Sequence, residues 1–151
     1  MTKWAIPAKF SISMSLIRVS DMDHVTFHVS NLKESIKFYY EVFGFEVKEG
    51  NFHDRKMPWA IIGLKGVAYL CLYQNEVVEN ENNTIMHWGF HIDIEDVDAL
   101  SSDLQARGIT VRDFPGSKNK VVDYRESDSI YVEDPDGYSI ELSTVHGGGL
   151  N

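Results

Sequence analysis

Four histidines and one glutamate are the side chains in this sequence best suited to bind an ion. His24 and His28 recur as His87 and His91, each pair offset by 63 positions (87 − 24 and 91 − 28). A neutral imidazole nitrogen donates a lone pair to a divalent ion near physiological pH. In the segment GYSIELS, a two-residue period puts Glu141 on one strand face with Ser139 and Ser143, and Tyr138, Ile140 and Leu142 on the other. An acidic side chain on the polar face of an otherwise apolar strand needs a reason. Two histidines and one carboxylate, with coordination positions left open, form the ligand set that suits non-haem iron, and zinc, manganese or nickel can occupy it too.

The elements that must position these groups are written twice. DHVTFHVSNLKESIKFYYEVFGF and MHWGFHIDIEDVDALSSDLQARGI each read as a strand followed by a helix. In the first strand His24, Thr26 and His28 share a face opposite Val25, Phe27 and Val29. In the second, His87, Gly89 and His91 oppose Trp88, Phe90 and Ile92. Leu32, Ile36, Tyr39 or Tyr40 and Phe43 then recur at helical spacing from near Ser30 until Gly44 stops the helix. Val97, Leu100, Leu104 and Gly108 repeat the plan. Further strands are expected at 45–50, 57–63, 67–73, 109–113, 128–133 and 138–143. The pattern is an α+β fold of two tandem βαβββ modules, about 22–73 and 86–143, whose polar sheet faces curve around a metal-binding cavity.

A polar connector runs from Gln74 to Thr84, and a long loop rich in Pro, Gly, Ser and Lys spans 114–126. Residues 1–21 read as an extension ahead of the core; Met14 offers a second start within it. Residues 144–151 read as a flexible tail. With 151 residues and 43% hydrophobic content, the chain has the means for one continuous core. Fourteen Lys plus Arg against 23 Asp plus Glu give a net charge of -9, which disfavours nucleic acid and anionic membranes and points to a small-molecule partner. A single cysteine, Cys71, rules out an internal disulfide and fits a cytoplasmic location. No apolar run approaches the roughly 20 residues of a membrane-spanning helix.

Over residues 22–143 the sequence resembles the vicinal oxygen chelate superfamily, which includes glyoxalases, bleomycin- and fosfomycin-resistance proteins and extradiol dioxygenases. The resemblance rests on DHVTFHVSNLKESIKFYYEVFGFEV, HWGFHIDIEDVDAL and IYVEDPDGYSIEL. It implies metal ligands at His24, His87 and Glu141, one divalent ion with Fe2+ favoured over Zn2+, Mn2+ or Ni2+, and a homodimer. Pro135 fixes φ and Gly137 permits positive φ, so the DPDG turn sets the register of the Glu141 strand. Where glyoxalase I places a fourth ligand, a glutamate, this chain has Cys71. Like the extradiol dioxygenases it has a tyrosine, Tyr131, ahead of the turn, but their upstream histidine is replaced by the segment KVVDYRES.

The resemblance therefore implies a metal-dependent enzyme whose substrate chelates the ion through vicinal oxygens. A dioxygenase-like reaction leads; a glyoxalase-like lyase or isomerase, a fosfomycin-type thiol transferase and a metal-free drug-sequestering protein are the alternatives. Tyr131, His28 and His91 are the candidate catalytic groups. Arg125, Tyr124, Tyr69 and Cys71 are the candidate substrate contacts, with Lys118 and Lys120 as further loop cations.

Overall fold

The computed structural model describes residues 22–75, 87–112, 122–124 and 127–144. The elements run β1 (Val25–Val29), α1 (Leu32–Phe43), β2 (Glu46–Asn51), β3 (Trp59–Leu64), β4 (Ala68–Gln74), β5 (His87–His91), α2 (Val97–Ala106), β6 (Val111–Arg112), β7 (Val122–Tyr124), β8 (Ser127–Glu133) and β9 (Ser139–Ser143). Each half of the chain forms a mixed sheet, ordered β1-β4-β3-β2 and β5-β9-β8-β6, so the two βαβββ units share one topology. The first strand of each half pairs in parallel with the last strand of the same half. β7 pairs with β8, within the stretch that the sequence reading assigned to a loop. The connector at 76–86, the loop at 113–121 with Lys118 and Lys120, residues 1–21 and residues 145–151 lie outside the described residues.

Local chemistry starts and stops the helices where the sequence says it should. The Asn31 side chain accepts from the amides of Lys33 and Glu34, closing the start of α1 one residue beyond Ser30. Gly44, at φ 70°, ends it in the left-handed conformation that glycine adopts without a Cβ penalty. Asp96 caps α2 by accepting from Ala99 N.

Both halves turn their apolar sides toward each other. Val29, Leu32, Tyr39, Ile62 and Leu72 of the first half share one buried cluster with Val111, Ile130, Val132, Ile140 and Leu142 of the second. Aromatic rings bridge the halves, with Phe27 4.7 Å from Trp88 and Phe43 5.5 Å from Phe90. Polar clasps reinforce this joint. The buried Tyr39 hydroxyl donates to Asp134 Oδ2 at 3.1 Å, and the Ser30 amide donates to the Asp136 carboxylate at 3.0 and 3.1 Å. Both carboxylates belong to the DPDG turn, where Gly137 stands at φ 81°. No helix of the described residues is long and apolar enough to cross a membrane.

Candidate metal centre

With the apolar faces joined, the opposite faces of the two sheets look outward. His24, Thr26 and His28 are exposed on the first, and His87, Gly89 and His91 on the second. Register turns the second face into a grid. Arg112 pairs across the sheet with Tyr131, Tyr131 with Glu141, and Glu141 with Gly89; the adjacent row holds Glu133, Ser139 and His87. His91 lies farther along the same strand, opposite Ser143.

The grid brings His87 and Glu141 together. Their Nε2 and Oε2 atoms are 3.2 Å apart, and the two side chains remain 27% and 18% exposed, open to a ligand on the outer face. Two neighbouring ligands about 2.1 Å from one ion must be roughly 3.0 Å apart in octahedral and 3.4 Å apart in tetrahedral geometry. The observed separation falls between these values, so the imidazole and carboxylate fit one shared divalent ion. Gly89 keeps space beside them, since a Cβ there would lie 3.7 Å from Glu141 Oε2. The Tyr131 ring packs edge-on to the His87 imidazole, centroids 5.4 Å apart, and is buried.

His24 is elsewhere. It sits just ahead of β1 and its Nδ1 meets Asp23 Oδ2 at 2.6 Å, a contact that orients the ring with Nε2 as the remaining donor. It lines a cleft of about 160 Å³ with Tyr69, Leu70, Trp88 and Gly89. Among the described residues no group of three His, Cys, Asp or Glu side chains is placed to hold an ion within one chain. Of the three ligands expected from the sequence, His87 and Glu141 adjoin within one chain, and His24 does not join them in a three-residue group. A two-residue period assigns a side chain to a sheet face; it does not say which other face that one will meet.

The remaining expected residues divide between the sheets. Tyr131 lies with His87 and Glu141. His28, Tyr69 and Cys71 lie on the first sheet, where Thr26 pairs with Cys71 as Gly89 pairs with Glu141. Cys71 is therefore the first-half counterpart of Glu141, and it is 5% exposed. Tyr124 falls on β7 with its backbone opposite Ser127; its side chain, like all of Arg125, lies outside the described residues. Sequence reading did not single out Arg112, which forms an ion pair with Glu133 beside Tyr131. The signal was present in the strand expected at 109–113, where Arg112 alternates with Val111, but its nearness to Tyr131 and Glu133 depends on pairing with β8.

Charge is tuned most at the DPDG turn. Burial pushes the Asp134 carboxyl up to about 6, against hydrogen bonds from the Tyr138 amide, the Tyr39 hydroxyl and the Asp136 amide that favour the ionised form. Burial, followed by the Asp134 charge, holds the Tyr39 hydroxyl well above its ordinary range.

Several characterised proteins are similar to this chain in sequence or in fold. The chain is 30% identical over 127 residues to the glutathione transferase FosA of Serratia marcescens, covering 82% of this chain and 80% of that one. It is also 30% identical over 127 residues to the metallothiol transferase FosB of Shouchella clausii, covering 83% and 81%. The fosfomycin resistance protein FosX of Listeria monocytogenes, solved with Mn(II) and 1S,2S-dihydroxypropylphosphonic acid, superposes with a TM-score of 0.68 at 21% identity, covering 85% of this chain and 94% of that one. The model of the glyoxalase/bleomycin resistance protein/dioxygenase superfamily matches residues 21–142, and the chain belongs to that superfamily.

Proposed function

We propose that this protein is a metal-dependent enzyme that adds a thiol to a small acidic electrophile bound through neighbouring oxygens. The observation that carries this reading is the His87–Glu141 pair, set at the separation of two ligands on one ion. Relatives at 30% identity are named as glutathione and metallothiol transferases, which favours the transferase alternative over the dioxygenase that the sequence alone put first. Mn2+ becomes the first ion to test, because a protein of the same fold holds it.

A complete site needs a third ligand, and the fold supports its source. The apolar sides of the two halves share a core, and His24 does not join His87 and Glu141 in a three-residue group within one chain. A second copy can lay its first sheet over the second sheet of this one, delivering His24, with Thr26, Cys71 and Tyr69, to His87 and Glu141. The protein would then be a homodimer with composite sites.

The ion, when bound, supplies Lewis acidity to the substrate oxygens. The chain does the rest. His87 and Glu141 fix the ion's place, and the Asp23 carboxylate holds the His24 ring in one tautomer. Tyr131, packed against His87, restricts how the substrate can lie. His28 and His91 are the candidates to take the thiol proton. In the transfer the thiolate sulfur bonds to carbon, the carbon–oxygen bond breaks, and its electron pair stays on oxygen, which then gains a proton.

Chelator-stripped protein reloaded with Mn2+ and given fosfomycin with glutathione, with cysteine or with no thiol is read by mass spectrometry. A product heavier by the thiol supports the reading. No product with any thiol, together with catechol cleavage under Fe2+, would return the site to dioxygenase chemistry; failure to take up any transition metal would favour sequestration.

A further inference from the structure

Charge on the second sheet's polar face is unevenly distributed. Of the Lys and Arg residues described in the second half, Arg107 caps α2 and only Arg112 lies on the face that carries His87 and Glu141. Its position is fixed by neighbours on both sides. Val111 is fully buried opposite Val132, so Arg112 must project to the other face, directly across from Tyr131, which in turn lies across from Glu141. Two strand spacings of about 4.8 Å separate its backbone from that of Glu141. An arginine side chain spans most of that distance, so its guanidinium can reach a molecule held at the His87–Glu141 pair.

The guanidinium is only partly satisfied. Its Nη2 meets Glu133 Oε1, while its Nε is buried with no hydrogen-bond partner among the described residues. A planar fork of five donors favours two parallel bonds to a carboxylate or phosphonate, and the single contact to Glu133 leaves that capacity open. A buried donor with no acceptor is costly in a finished structure. It becomes reasonable where the side chain, released from Glu133, turns to meet an acceptor on a ligand.

We propose that Arg112 recognises the acidic group of the substrate and that Glu133 is its internal stand-in, holding the cation in place until a carboxylate or phosphonate takes over the fork. This inference rests on the reading of the face as a site for a small acidic molecule, and it adds the residue that selects for charge. Glu133 then has a defined effect: by competing for Arg112 it weakens anion binding, and removing its charge strengthens it.

The test uses methylphosphonate as the anionic probe and its neutral dimethyl ester as the control, titrated calorimetrically into the full chain with and without Mn2+. Circular dichroism melts verify the fold of each variant. Glu133→Gln is expected to tighten methylphosphonate about fivefold or more, and Arg112→Gln to weaken it about tenfold, in line with loss of a charge-assisted pair. Arg112→Lys should fall between, keeping charge without the fork. The double variant Arg112→Gln/Glu133→Gln, in which two amides can pair with each other, serves if a single variant fails to fold; it should bind the probe as weakly as Arg112→Gln. Neither change should alter Mn2+ affinity or binding of the neutral ester. Methylphosphonate affinity that stays the same in Glu133→Gln, Arg112→Lys and the double variant would overturn the assignment. That result alongside normal Mn2+ uptake removes Arg112 alone, whereas intact anion selectivity without Mn2+ uptake removes the metal reading and leaves Arg112 standing.

Discussion

Replacing Asp134 by Asn should remove a specific part of the protein's pH dependence. Asp134 is 5% exposed and its carboxyl is raised from 3.8 to about 6, chiefly by burial. Because the folded value lies above the unfolded one, the folded state binds more protons between pH 3.8 and 6. Stability is greatest below that window and falls as pH rises through it. The difference of 2.2 pK units, at 1.36 kcal/mol each, amounts to a loss of about 3 kcal/mol across the whole window. Between pH 4.5 and pH 8, where the protein is easily handled, about 2 kcal/mol of that falls.

Asparagine keeps the acceptor that takes the Asp136 and Tyr138 amides, each at 2.9 Å, and cannot ionise. The Tyr39 hydroxyl, now facing a carboxamide, can turn to accept. Urea unfolding followed by fluorescence at several pH values reads the effect. Subtracting the variant's curve from the native curve cancels the groups common to both. Native protein should lose about 2 kcal/mol more than Asp134→Asn between pH 4.5 and pH 8, a midpoint difference of about 1 M urea. Parallel curves would refute the claim that a buried, costly carboxylate fastens the DPDG turn to α1.

Tyr39→Phe removes the hydroxyl from that same carboxylate. It should cost about 1.5–3 kcal/mol at pH 8, where Asp134 is ionised, and less at pH 4.5, as measured by urea unfolding. Gly63→Ala should destabilise by about 3 kcal/mol or more, because its Cβ would sit 2.2 Å from the Ala68 carbonyl and 2.7 Å from the Tyr69 ring; thermal melts would show it. Asn31→Ala loses the two amides capped at the start of α1. A cost of about 1 kcal/mol, or about 2–4 °C in melting temperature, is expected by calorimetry.

Sequence alone resolved what depends on local periodicity and left open what depends on distant partners. The two-residue alternation around His24 and His87 correctly separated polar from apolar faces, and Gly44 ended α1 as its freedom at positive φ requires. β7 escaped notice because three residues, Val122–Tyr124, carry no readable alternation and gain their strand character from pairing with β8. The DPDG turn was legible through Pro135 and Gly137. Its two carboxylates were not, since Asp134 meets Tyr39 95 positions away and Asp136 meets Ser30 106 positions away. Glu141 and His87 lie 54 residues apart (141 − 87), yet parallel pairing of β5 with β9 puts them in adjacent rows. His24 illustrates the limit: periodicity gave its face, and only the packing of the two halves shows that it lines a cleft with Trp88 and Gly89 without joining His87 and Glu141 in a three-residue group.

Mixing two broken copies tests the composite metal site most directly. His24→Ala and Glu141→Ala proteins, each purified without bound Mn2+, are unfolded, combined in equal amounts, refolded, and titrated with Mn2+ by electron paramagnetic resonance. If His24 of one copy completes the His87–Glu141 pair of another, each mixed dimer regains one intact site, and the mixture recovers about a quarter of the native Mn2+ capacity. Recovery of none, with mixed dimers verified by mass, would contradict the account.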